Sequence, residues 1–293
     1  MAKGKNAVGL DIGSSSIKVC QLKETKKGVA LLSFGMIPLP PEAIVDGALM
    51  NSTAIVDAIR ELFQSQKIKA KDVAISVSGH SVILKKINLP QMTEEELEES
   101  LKWEAEQYIT FGADDAKIDF SIIGENEGGG KHAIIAAAKN GIIENYVGLL
   151  KEAKLTVKVV DLNVLALSNI FEEVMSANLE ELSQGTLLLD LGAQSTKIIV
   201  YKNGGPIFTK EIPVGGSLIT EEIQRQMGVS YEEAEDLKIS TDQKGNLPQE
   251  ILNIINTIVD QQVAEIKKNI NFYITQGSSE KVGSCFVTGG SSL

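Results

Sequence analysis

The sequence predicts an α/β fold of two similar halves, with a smaller α+β module inserted into the first. Three observations predict it. The chain says nearly the same thing twice: residues 8–19 read V-G-L-D-I-G-S-S-S-I-K-V and residues 187–199 read L-L-L-D-L-G-A-Q-S-T-K-I-I. Strand-like runs alternate with helical periodicity around both copies. Residues 81–160 have a different texture, dominated by a hairpin pattern with a Gly-rich loop.

Setting Asp11 on Asp190 aligns Ile12 with Leu191, Gly13 with Gly192, Ser16 with Ser195 and Lys18 with Lys197. Each copy reads as an apolar strand, an Asp at its end, a Gly turn, small polar residues and a second apolar strand. The tip of such a hairpin offers backbone N–H groups, hydroxyls and one carboxylate. Two such tips facing each other would make a site for a polyphosphate and its metal.

The elements follow in order. Strands at 6–12 and 16–23 flank the first loop, and A-L-L-S-F-G-M at 30–36 is a third. Pro38, Pro40 and Pro41 break regular structure. Asn51 or Ser52 caps a helix over 53–66 with Ile55, Ile59, Leu62 and Phe63 on one face. Val73, Ile75 and Val77 alternate with smaller residues as a strand. The inserted module starts with a strand at 83–87 that ends before Pro90. Thr93 and Glu96 form a capping box, each side chain satisfying the other residue's backbone donor. The helix that it opens carries Leu97, Leu101 and Tyr108 on one face and a solvated acidic face of Glu94, Glu95, Glu98, Glu99 and Glu106 on the other. Strands at 117–123 and 132–138 are joined by G-E-N-E-G-G-G, and a helix at 140–153 with a strand at 155–160 closes the module. A helix from Val164 to Met175 leads into the second copy of the repeat. After it come a strand at 206–212, the pair Gly215-Gly216, helices at 217–227 and 230–238, and a long helix from about 249 to 275 with Ile251, Ile254, Ile255, Ile258, Val263, Ile266 and Ile270 inward. The predicted domains are therefore 1–80 with 161–185, the insertion 81–160, and 186–293.

Hydrophobic residues make up 43% of the chain and charged residues 23%, ample for a large core, while aromatics are only 5%. The formal charge of −11 argues against nucleic-acid binding, which asks for a basic face. Cys20 and Cys285 read as buried reduced thiols, since two isolated cysteines make neither a disulfide framework nor a zinc site. His80 and His132 are isolated and read as structural. The N-terminus has no signal-peptide pattern, and no apolar run approaches the roughly 18–20 residues that span a bilayer. The expectation is a soluble cytoplasmic protein without direct membrane insertion.

A lone D-x-G is weak evidence, but a third loop, Phe286-Val287-Thr288-Gly289-Gly290-Ser291-Ser292, is another apolar strand breaking at a Gly pair. Such a pair lets a backbone approach a planar ligand closely. The set D-I-G-x-x-S, D-L-G-x-x-S and V-T-G-G resembles the actin/Hsp70/sugar-kinase ATPase superfamily. That resemblance implies an actin-like fold, two RNase H-like domains flanking a cleft for ATP and Mg²⁺. It implies that Gly13, Ser14, Ser15 and Ser16 cradle phosphate oxygens as a backbone nest does, with Gly192, Gln194, Ser195 and Thr196 opposite. Asp11 and Asp190 would hold Mg²⁺ through its water shell. Lys18 and Lys197 lie past the loops on the side of Ser16 and Ser195. Gly215 and Gly216, with Gly289, Gly290 and Ser291, fall where the superfamily keeps its nucleotide, and Glu235 and Lys238 sit on a helix placed against the nucleoside.

Within the superfamily the chain resembles the FtsA-like branch and, inside it, the family of PilM type IV pilus assembly ATPases. The run I-N-L-P-Q-M-T-E-E-E-L-E-E-S-L-K-W-E-A-E-Q-Y-I-T-F (87–111) carries most of this, joined by V-V-D-L-N-V-L-A-L (159–167). The insertion at 81–160 resembles that family's subdomain 1C. The resemblance implies docking of the short N-terminal cytoplasmic peptide of PilN, and so a place at the inner-membrane platform through a partner. The strand 83–89 and the helix 94–108 are then candidates to line the peptide groove. A polymerising, self-associating cytoskeletal protein and a sugar-kinase-like phosphotransferase are the alternatives. Two departures from the pattern matter. Relatives often carry a Glu-Pro pair before the linking helix, whose carboxylate orients the attacking water; here Asn163-Val164 stands there. An amide orients water but is a poor base, so hydrolysis is expected to be slow. The chain also stops at Leu293, where actin-like folds continue, so it is expected to be truncated.

Overall fold

The computed structural model describes residues 7–26, 28–125, 129–175, 185–202, 204–240, 247–275 and 282–292, without the side chains of Glu94, Glu95, Leu97, Glu98 and Lys102. The expectations for Leu97, for Glu94, Glu95 and Glu98, and for the middle of the 124–130 loop lie outside the described residues. The chain divides into two compact units, residues 1–173 and 174–293.

In the first unit, β1 (Val8–Ile12), β2 (Ser16–Thr25) and β3 (Gly28–Pro38) form an antiparallel meander. A two-residue hairpin follows, β4 (Ile44–Val45) and β5 (Ala48–Leu49). It turns at Asp46 and Gly47, both at positive φ, a D-G signal that the reading by periodicity passed over. α1 (Ser52–Ser65) starts where Asn51 accepts a hydrogen bond from the Ala54 amide, and buries Ile55, Val56, Ile59, Leu62 and Phe63. Burial of each such side chain contributes about 1.5–3 kcal/mol. β6 (Asp72–Val77) then pairs parallel to β1 with Val73, Ile75 and Val77 inward.

β7 (Val82–Leu89), α2 (Glu94–Tyr108), β8 (Ala116–Glu125) and β9 (Lys131–Lys139) follow. The three strands make a separate antiparallel sheet in the order β7-β9-β8. Its core is Ile87, Leu89, Leu101, Ala105, Ile109, Ala133, Ile135 and Ala137. α2 opens with the predicted capping box at Thr93 and Glu96. His132 Nδ1 lies 2.6 Å from Asn88 Oδ1 across the β7–β9 pair.

The next two elements correct the sequence reading. α3 (Asn140–Glu152) and β10 (Thr156–Leu162), expected to close the inserted module, belong to the first sheet instead. β10 pairs parallel with β6, giving the order β10-β6-β1-β2-β3, and α3 sets Tyr146, Leu149 and Leu150 into the core that holds Val8, Leu10, Ile17 and Ile75. Two stretches of strand with the same apolar pattern cannot be told apart by periodicity; only the available edge decides which sheet they extend. α4 (Asn163–Met175) leaves β10 directly.

In the second unit, β11 (Gly185–Leu191), β12 (Thr196–Lys202) and β13 (Gly205–Ile212) repeat the meander. α5 (Gly216–Met227), α6 (Tyr231–Ile239), α7 (Gln249–Thr275) and β14 (Val282–Thr288) follow, and a 3₁₀ turn spans Gly290–Ser292. β14 pairs parallel to β11, so the order is β13-β12-β11-β14. The near-continuous burial of β11 and β12 explains their unbroken apolar runs. α7 serves two cores: Ile251 and Ile254 pack with Ile223 and Ala234, and Ile266 and Tyr273 pack on Leu187, Ile198 and Val200. Val263, expected inward, is exposed. The buried line runs from Ile258 to Ile266 through the half-buried Gln262, one helical turn from each. Cys20 is half-buried and Cys285 is exposed, so the expectation of two buried thiols fails for both. No helix among the described residues is long and apolar enough to cross a membrane.

Candidate functional site

The two copies of the repeat fold alike. In each, the loop closes by a hydrogen bond from the glycine amide to the carbonyl three residues on: Gly13 to Ser16 at 3.1 Å, Gly192 to Ser195 at 3.0 Å. A Cβ on either glycine would approach that same carbonyl, at 3.0 and 2.8 Å, so the sequence needs glycine for the turn itself. The glycine amides are thereby engaged in the turn. Donors toward a phosphate have to come from the tips, at Ser14 and Ser15 in the first copy, and from side chains.

The repeated acid and the repeated lysine pair across adjacent strands in both copies. Asp11 stands opposite Lys18 with Nζ 3.0 Å from Oδ2, and Asp190 stands opposite Lys197 at 3.3 Å. The first pair is open, at 49% and 35% side-chain exposure; the second is half-buried, at 25% and 10%. One strand further on, the copies diverge: Met36 lies opposite Lys18, and Glu211 lies opposite Lys197. Ser195 Oγ donates to Glu211 Oε1. Glu211 was not anticipated; an acid facing Lys197 two strands from Asp190 is visible only once the register is known.

Thr196 departs from its expected role. It is fully buried, and its hydroxyl donates to the Val214 carbonyl at 2.6 Å and accepts from Gln262 Nε2 at 2.8 Å. Strand alternation turns it away from the face that carries Ser195 and Lys197 and into the core, so it is not available to a ligand. Gln262 is the second unanticipated residue; a polar side chain at an inward helical position was its only signal.

The second unit gathers the remaining predicted residues around the start of α5. Gly215 caps that helix without a side chain, and a Cβ there would lie 2.3 Å from the Ala193 carbonyl. The Gly216 and Ser217 amides donate to the Gly192 and Ala193 carbonyls at 3.0 and 2.8 Å. Ser291 Oγ donates to the same Gly192 carbonyl at 3.0 Å and would touch a Cβ at Gly216. Gly289 sits at φ +96°, where a Cβ would meet the Leu191 carbonyl at 2.4 Å. The second and third loops and the α5 terminus are thus packed backbone to backbone. Beside them Lys238 Nζ reaches Glu235 at 2.6 Å and Thr220 Oγ1 at 2.9 Å, and Thr220 donates to Glu235. Glu235 and Lys238 are therefore more than a surface pair one helical turn apart. They tie α6 to α5 through Thr220, a link that the sequence reading missed.

In the first unit, Asn163 opens α4 with a buried Oδ1 that has no hydrogen-bond partner among the described residues. Two residues earlier, burial holds the Asp161 carboxyl above the ordinary range, partly offset by the hydrogen bond from its own neighbour's amide, Leu162, at 2.7 Å. Burial, with the Asp11 charge adding to it, pushes the Tyr146 phenol up to about 12.

The model of the family described as type IV pilus assembly protein PilM matches residues 9–293. The chain belongs to the PilM family of type IV pilus assembly proteins. A solved PilM–PilN type IV pilus biogenesis complex is 26% identical to it, covering 98% of this chain and 82% of that one, with a TM-score of 0.83. The ethanolamine utilization protein EutJ from Carboxydothermus hydrogenoformans shares the fold alone, at 15% identity and a TM-score of 0.59 over 99% of this chain and 78% of that one. Among sequences, the cell division protein FtsA of Bacillus subtilis is 24% identical, matched over 97% of this chain and 73% of its own length. FtsA of Borreliella burgdorferi is 25% identical over 80% and 61%. The fold is actin-like, as the three loops predicted. Within the strand 83–89 and the helix 94–108, the candidates to line a peptide groove, Ile87, Leu89 and Leu101 are core residues of the inserted sheet itself.

Proposed function

We propose that the chain is an ATP-binding scaffold of the type IV pilus inner-membrane platform that docks the N-terminal cytoplasmic tail of PilN and hydrolyses ATP slowly. The observation that carries this is the likeness to the PilM–PilN complex along nearly the whole chain. It acts on the cytoplasmic side and reaches the membrane through its partner.

The residues present suit a nucleotide. In the second unit, Gly289, Gly290 and Ser291 make a side-chain-poor surface packed on the buried Gly215 and Gly216, flanked by Glu235 and Lys238 with hydrogen-bonding capacity toward a ribose. Gln194 and Ser195 stand at the tip of the adjoining loop, with Lys197 as the cation. In the first unit, Ser14, Ser15 and Ser16 supply hydroxyls and Lys18 supplies charge. Asp11 and Asp190 offer the hard oxygen donors that Mg²⁺ takes, directly or through its waters. Mg²⁺, when bound, neutralises phosphate charge. Lys18 and Lys197, which these carboxylates hold, would supply positive charge to phosphate oxygens.

Two titrations of the purified chain test the proposal: a mant-labelled ATP, and a fluorescein-labelled peptide of the PilN tail followed by anisotropy. Both are expected to saturate. Absence of peptide binding removes the scaffold reading, and absence of nucleotide binding removes the ATP site. Turnover is expected well below the roughly 10 s⁻¹ typical of enzymes. A second reading, self-association, would show as ATP-dependent light scattering.

A further inference from the structure

We propose that Asp161, at the end of β10, is the carboxylate that holds and deprotonates the water attacking ATP, with Asn163 Oδ1 as the second acceptor for that water. The inference rests on the ATP-binding reading above and adds the residue that the hydrolytic step needs. The position expected to carry a catalytic acid has an amide, Asn163; the acid stands two residues earlier.

Register places it. β10 pairs with β6 so that Asp161 stands opposite Ser76. β6 pairs with β1 at Leu10 and Ile75, and the same register continued by one residue sets Asp11 beside Ser76. β1 pairs with β2 at Asp11 and Lys18. Asp161, Ser76, Asp11 and Lys18 thus form one row across four strands. Leu10, Ile17, Ile75 and Leu162 flank that row in sequence and are buried on the other face. Two strand spacings put the Asp161 and Asp11 backbones roughly 9–10 Å apart, which leaves room for a phosphoryl group and a water between the side chains.

The environment points the same way. Asp161 is half-buried and has no cationic partner among the described residues; its Oδ1 accepts from the Leu162 amide. Asn163 adds a buried oxygen without a partner at the same β10–α4 junction. A buried polar atom left unmatched costs stability unless something fills it. A water donates two hydrogen bonds, so these two acceptors satisfy both of its hydrogens and leave its lone pair free. Burial also raises the basicity of the carboxylate. In the step itself the water oxygen forms a bond to the γ-phosphorus, and its proton passes to Asp161. The bond from γ-phosphorus to the β,γ-bridging oxygen breaks, and its electron pair stays on ADP as inorganic phosphate is released.

The test uses the full chain and Asp161→Asn, read three ways: single-turnover hydrolysis of γ-labelled ATP, affinity for mant-ATP, and the melting temperature without nucleotide at neutral pH. The expected result is a loss of hydrolysis of at least about tenfold, affinity within about twofold, and a melting temperature equal to or above that of the parent. The last follows because an unpaired half-buried carboxylate costs the fold what an amide does not. Unchanged hydrolysis with normal binding overturns the role of Asp161 and leaves the ATP reading standing. A lowered melting temperature with a parallel fall in hydrolysis marks Asp161 as structural and also overturns it. Failure of the parent chain to bind mant-ATP overturns the ATP reading and this role with it. Asp161→Ser, small and polar, decides the matter if the amide variant does not fold.

Discussion

Lys18 and Lys197 hold equivalent places in the repeat and different environments. Lys18 and its partner Asp11 are open to solvent, where such a pair contributes at most about 1 kcal/mol. Lys197 is 10% exposed and sits between Asp190 and, across the next strand, Glu211. Removing it leaves the half-buried Asp190 carboxylate without its cation. Lys197→Ala is therefore expected to lower unfolding free energy by about 1–3 kcal/mol, and Lys18→Ala by less than about 1 kcal/mol, in urea denaturation of the purified chain. Equal costs would show that the burial difference has no energetic weight. A sharper residue-scale case is Gly289. Its positive φ and the nearby Leu191 carbonyl make Gly289→Ala strained on two counts, and a loss of about 1–3 kcal/mol is expected in the same assay.

At the scale of elements, the start of α2 is held by a capping box. The Glu96 carboxylate accepts from the Thr93 amide at 2.8 Å while Thr93 Oγ1 accepts from the Glu96 amide. These bonds to the Thr93 backbone and side chain hold the Glu96 carboxyl below the ordinary glutamate value of 4.5. A carboxyl lowered in the folded state stabilises the fold above its unfolded value, and the contribution is lost as pH falls through the folded one. Amide exchange in α2 is therefore expected to speed up, relative to α1, on going from pH 5 to pH 3. Thr93→Ala is expected to remove about 1 kcal/mol from α2 at neutral pH and to abolish most of that pH response; an unchanged response would show that the cap is not its source. α2 was legible because a capping box is a local pattern. The fate of α3 and β10 was not, because their periodicity says which residues turn inward and leaves the choice of sheet to the strand edge they meet.

For the whole molecule, the proposed PilN docking and the proposed nucleotide site define a testable coupling. If ATP and the PilN peptide favour the same arrangement of this chain, each strengthens the binding of the other by one common factor, since linkage is reciprocal. Peptide anisotropy titrations with and without saturating ATP are expected to differ by about fivefold or more, and mant-ATP titrations with and without peptide by the same factor. Equal affinities in both pairs of titrations would remove the coupling while leaving both binding events in place.

The sequence by itself determined the repeated Asp-Gly hairpins, the third glycine loop, the capping box of α2, the PilM-family membership and the actin-like fold. Each of these is written in residues close together, or in loops whose glycines the backbone cannot do without. Only the tertiary structure decided that Thr196 faces the core while its neighbour Ser195 meets Glu211, that Gln262 crosses from α7 to hold Thr196, that the inserted sheet ends at β9, and that Asp161 shares a row with Asp11. The physical reason is common to all four. Alternation fixes which way a side chain turns on its own strand, but what stands opposite it is set by register and strand order, which join residues as far apart as 150 positions.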